Sequence, residues 1–143
     1  MSARFPISDM HLFPLSRAAG ERVLLREADH LLRRFGQLSL LDLPAGAATP
    51  FELRAESDRF FFPLSGAFTL RLLDLRPNSP SLGAYATVAL DQAQPQGVLA
   101  PFGVACSLLA QGECRVLVLS THSAPHPGDR AASAEELAKY GAA

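Results

Sequence analysis

The chain has 143 residues, of which 48% are apolar and 19% charged, and a formal net charge of −1. This is the length and balance of one globular domain able to bury a full core. Its Lys and Arg are scattered, which argues against nucleic acid as a partner, because phosphate binding needs a concentrated basic face.

No apolar run nears the roughly 18 residues that a membrane span requires. Residues 1–15 hold Pro6 and Pro14 and no continuous apolar segment, so no secretion signal is expected. Cys106 and Cys114 do not make a disulfide framework. The expected compartment is the cytoplasm.

Residues 5–15 read as an extended arm whose prolines keep it off central strand positions. It either folds onto its own sheet or pairs with a second subunit. Residues 22–26 read as a short strand, and residues 27–35 fit one helical turn or the start of a long strand. Residues 37–43 alternate at first, with Leu38 and Leu40 on one face; the Leu40-Leu41 doublet breaks the period as a β-bulge would. Residues 46–66 read as one β-hairpin: a glycine turn, a short strand, a polar turn, the aromatic strand Phe60-Phe61-Phe62 and a second glycine turn. Along residues 67–75, Phe68, Leu70 and Leu72 share a face, with Thr69 and Arg71 opposite.

A turn cluster at 76–81 leads to strands at 85–90, 97–101, 104–110 and 114–121. Turn signals recur about every 8 to 12 residues, the spacing of sandwiches and barrels. Ser133 followed by Glu136 is a capping-box pattern. It predicts one short helix with Leu137 and Tyr140 on its buried side and Gly141 as its stop.

The 46–66 stretch also carries a longer pattern. Gly46, Glu52, Arg54, Arg59 and Gly66 are spaced as the first cupin motif, G-x5-H-x-H-x4-E-x6-G, so the stretch resembles that motif with its metal ligands replaced. Pro101 and Gly103 resemble the end of the second motif, P-x-G-x2-H-x3-N, with Cys106 and Ala110 at its His and Asn positions. The resemblance implies an all-β fold in a single domain, a cupin double-stranded β-barrel (jelly roll) with a short C-terminal helix, often dimeric. We divide it into an arm and edge strands at 1–36, the barrel at 37–130, and a helix and tail at 131–143.

Two further segments narrow the likeness. Asp74-Leu-Arg76-Pro-Asn-Ser79-Pro80-Ser-Leu-Gly83 resembles the D-x-R-x-x-S-P-T-x-G segment of dTDP-4-dehydrorhamnose 3,5-epimerases. Residues 97–140 resemble the C-terminal half of dTDP-sugar 3,4-ketoisomerases. Both are metal-free cupins that rearrange keto-deoxysugar nucleotides, so the implied ligand is a sugar nucleotide or other anion and the implied assembly a homodimer. The histidines that both families use map onto residues 49–54, where this chain has none.

Alternation puts Glu52 and Arg54 on one side of their strand, which in the cupin register is the barrel interior. Arg59 is expected to face them, Cys106 to close the ring, Phe61 to line the wall and Tyr85 to reach the pocket. Arginine stays protonated and only donates, so no metal and no cofactor are expected there. Three roles remain open for Glu52, Arg54 and Arg59. They form an internal ion pair, or they recognise an anion, or Glu52 acts as a general base beside an arginine that steadies an enolate. His122 and His126 are expected at the surface, and Cys106 as an unreactive core thiol. A sensor or dimeric accessory protein without catalysis is the alternative to an epimerase or isomerase.

Overall fold

The computed structural model describes residues 6–14, 32–94 and 96–142. The strands are β1 (His11–Pro14), β2 (Gln37–Leu43), β3 (Glu52–Leu53), β4 (Arg59–Ser65), β5 (Ala67–Asp74), β6 (Tyr85–Asp91), β7 (Gln96–Ala100), β8 (Val104–Ala110), β9 (Cys114–Ser120) and β10 (Arg130–Ala131). One helix follows, α1 (Ala134–Lys139). The strands form two five-stranded sheets, β1-β7-β4-β9-β2 and β10-β3-β8-β5-β6. Every pair is antiparallel. This is the all-β jelly roll that the two motifs imply.

Alternation builds the core between the sheets. Phe61, Val98 and Val116 come from the first sheet, and Phe68, Leu70, Leu72, Cys106 and Leu108 from the second. Each large apolar side chain removed from water there contributes about 1.5–3 kcal/mol. The residues between them face outward and make smaller cores. Phe60 and Phe62 pack with Phe13 and Leu99 behind the first sheet. Phe51, Leu53, Leu73 and Ala105 lie behind the second, under Leu137 and Tyr140. The helix begins as its sequence directs: Ser133 accepts from the Glu136 N–H and the Glu136 carboxylate accepts from the Ser133 N–H.

Two expectations are corrected. Residues 46–66 are not one hairpin, because β3 pairs with β8 and β10, whereas β4 pairs with β7 and β9. Residues 54–58 instead carry the chain from one sheet to the other. No bulge interrupts β2 either: its register runs unbroken from Gln37 opposite Ser120 to Leu43 opposite Cys114. Leu40 lies on the outer face and Leu41 on the inner, so the doublet reflects two apolar faces and not a broken period. The shift in register lies in β4, between Pro63 and Ser65. The arm folds onto its own sheet, with β1 beside β7. The strand expected at 22–26 and most of the 27–35 segment lie outside the described residues.

Candidate functional site

A cavity of about 290 Å³ opens between the two sheets. The first sheet supplies two neighbouring rows of inward side chains. Arg59, Ser120 and Gln37 stand abreast across β4, β9 and β2, and Phe61, Val118 and Ser39 form the adjacent row. The second sheet supplies Glu52 and Cys106, which are direct cross-strand partners, together with Leu108. The cavity thus brings together Glu52, Arg54, Arg59, Phe61 and Cys106. Tyr85 is not among its lining residues. It packs behind the second sheet against Phe51, because the parity of β6 turns it outward.

Arg59 is 6% exposed. Its Nη2 donates to the carbonyl oxygens of Glu52 at 2.8 Å and Val104 at 3.3 Å. Its guanidinium carbon lies 5.4 Å from the centre of the Phe61 ring, within cation–π range. No carboxylate among the described residues pairs with it. Nε and Nη1 have no acceptor among those residues, and neither is among the nitrogens sealed from solvent. A buried cation without a counter-charge is costly in an empty cavity and favourable beside an anion.

Arg54 is different. Its Nη1 donates to Asp129 at 3.3 Å, and its Nη2 lies 3.9 Å from the Glu52 carboxylate. Asp129 also accepts from the N–H groups of Ala55 and His126. Burial pushes the Asp129 carboxyl up, but those two N–H groups and the Arg54 charge outweigh it and hold it below the usual range. The Glu52 side chain is 48% exposed at the rim. Burial pushes the Cys106 thiol up, with the Arg59 charge pulling weakly the other way, so Cys106 stays a thiol at neutral pH.

His122 and His126 do not line the cavity. His122 Nδ1 is 3.0 Å from the Thr121 hydroxyl, and His126 Nδ1 accepts from the Gly128 N–H. Among the described residues no three His, Cys, Asp or Glu side chains are grouped so as to hold a metal ion. Nor is any helix among them long and apolar enough to cross a membrane. Sequence reading missed Gln37, Ser39, Leu41 and Ser120 as lining residues. Their signal was parity: they are the side of β2 and β9 opposite Leu38, Leu40 and Leu119.

No family model matches the chain, and no curated protein matches it by sequence. Solved structures do match. The RmlC epimerase of Mycobacterium tuberculosis superposes with a TM-score of 0.82 at 16% identity, over 96% of this chain and 76% of that one. The dTDP-sugar isomerase of Desulfovibrio desulfuricans gives 0.82 at 18% identity, over 92% and 89%. The fold is that of the RmlC-type cupins. A third member of this fold, the Legionella pneumophila RmlC solved with dTDP-4-keto-L-rhamnose, gives a TM-score of 0.78 at 15% identity, over 96% and 81%. In the RmlC-type jelly roll of the present chain, the space between the sheets is lined by a cation, hydroxyls and an aromatic ring.

Proposed function

We propose that this cupin binds an anionic sugar derivative, nucleotide-linked or phosphorylated, in the cavity between its sheets. The observation that carries this is Arg59: a buried guanidinium on the cavity wall, held by two carbonyl oxygens, with no carboxylate partner among the described residues. Such a group favours an incoming anion through charge-assisted hydrogen bonds. The fold adds support, since similar structures carry dTDP-linked sugars in their names.

Binding without turnover is the reading we favour over catalysis. Among the described residues Glu52 is the carboxylate that lines the cavity, and it is half open to water, whereas exclusion of water strengthens the interactions on which such catalysis draws. If the chain is an enzyme, it is an isomerase or epimerase acting on a keto-sugar nucleotide. If it is not, it is a sensor or an accessory protein. We also read it as a cytoplasmic homodimer that needs no metal. The dimer reading is supported by β2, the edge of its sheet among the described residues, whose Leu38 and Leu40 are 52% and 54% exposed.

Thermal-shift screening tests the proposal with dTDP-sugars, sugar phosphates and divalent metals. A bound ligand raises the melting temperature by mass action. We expect anionic sugars to raise it and Arg59→Gln to abolish the rise. A rise with metals alone overturns the proposal in favour of a metal-dependent cupin, and no rise with any of these ligands overturns it and leaves the accessory role.

A further inference from the structure

Counting charge around the cavity narrows the ligand. Arg54 is already compensated, by Asp129 at 3.3 Å and Glu52 at 3.9 Å. Arg59 is not. Arg59 is thus the cation of the cavity wall with no carboxylate partner among the described residues, while the four groups together sum to zero, so a singly charged ligand upsets the balance less than a doubly charged one. A phosphate monoester carries about −1.5 to −2 at neutral pH. Placed on Arg59, it would bring a second negative charge close to Glu52 and Asp129 with no cation left to meet it.

Size points the same way. A cavity of about 290 Å³ lies at the lower edge of the roughly 300–1,000 Å³ typical of ligand pockets. A volume of that scale favours a single hexose-sized unit over a whole nucleotide sugar. The chemistry of the wall fits a sugar acid. Nε and Nη1 of Arg59 lack acceptors among the described residues, Ser120 stands next to Arg59 in the same row, and Phe61 and Val118 offer an apolar surface beside them.

We propose that Arg59 reads a carboxylate on the sugar ring itself. The ligand is then a uronate-type sugar and not a neutral keto-deoxysugar. Any nucleotide carrier lies outside the cavity, beyond Arg54 at the rim. This inference rests on the reading that the cavity binds an anionic sugar.

Calorimetric titration of the full chain separates the two. The ligands are D-glucuronate, D-glucose and glucose 6-phosphate, and the pair UDP-glucuronate and UDP-glucose. We expect the uronate of each pair to bind at least about tenfold more tightly than its neutral partner. Arg59→Gln should weaken uronate binding by about ten- to a hundredfold, the loss of a charge-assisted contact. Arg59→Lys, which keeps the charge, serves if the glutamine variant fails to fold; it should bind with intermediate affinity. Binding of glucose 6-phosphate but not glucuronate, or equal binding of the two UDP-sugars, overturns this inference while the anionic-sugar reading stands. Uronate affinity unchanged in both Arg59 variants also overturns it. No binding by any of the five overturns both.

Discussion

Arg59 bonds to Glu52 through the main chain and not through the carboxylate. Its Nη2 is 2.8 Å from the Glu52 carbonyl oxygen, while the Glu52 side chain turns toward Arg54, 3.9 Å away. The three residues at metal-ligand positions are therefore not one ion-pair cluster. They divide into a loose rim pair and a buried cation, and that division decides what substitutions do.

At the rim, Glu52→Gln should change stability by less than about 0.5 kcal/mol, because the side chain is half exposed. Arg54→Ala removes the partly exposed Asp129 pair and should cost about 0.5–1 kcal/mol. Urea denaturation measures both. A loss of several kcal/mol from either would mean that the rim pair holds the barrel together.

Acid should loosen the segment that joins β5 to β6. Asp74 is fully buried and accepts from the Arg76 guanidinium and N–H and from the Ser79 and Ser81 hydroxyls. Burial pushes its carboxyl up, but these donors outweigh burial and lower it from 3.8 to about 2. A lowered folded-state value stabilises the protein above the unfolded-state value and is lost as pH falls through the folded one. The contribution is on the order of 2 kcal/mol, present above about pH 4 and gone near pH 2. Asp74→Asn should flatten stability against pH across that window and lower stability at pH 7. Denaturation midpoints at pH 7, 4, 3 and 2 check this, and an unchanged slope would count against it.

The two motif glycines should respond differently to alanine. Both have left-handed backbone, φ +79° at Gly46 and +73° at Gly66. A Cβ at Gly46 meets nothing within 4 Å, so Gly46→Ala should cost only the backbone strain of about 1–2 kcal/mol. At Gly66 it would lie 2.5 Å from the Glu113 carbonyl oxygen, which cannot yield without shifting the β8–β9 turn. Gly66→Ala should cost clearly more, read as a lower urea midpoint than that of Gly46→Ala.

A homodimer formed through the β2 edge should be broken by Leu38→Lys with Leu40→Lys. Both side chains are more than half exposed in the single chain, so the pair should leave its melting temperature nearly unchanged. Sedimentation velocity should show a dimer for the natural chain and a monomer for the variant. A natural chain that sediments as a monomer at micromolar concentration ends the dimer reading.

Local signals carried most of the fold. Alternation in residues 67–75 was enough to assign Phe68, Leu70 and Leu72 to the core, and the Ser133/Glu136 box was enough to start the helix. The spacing of the motif glycines and of Glu52, Arg54 and Arg59 was enough to bring those three side chains to one cavity. What sequence left undecided was strand partnership. Neighbours in sequence suggested a hairpin at 46–66, whereas pairing with distant β8 and β9 put its two strands in opposite sheets. The same holds for charge. Sequence could list an acid and two guanidinium groups, but which of them met and which stayed unpaired depended on Asp129, seventy-five positions from Arg54 along the chain. Long-range packing, and not local preference, leaves Arg59 buried and, among the described residues, without a carboxylate partner.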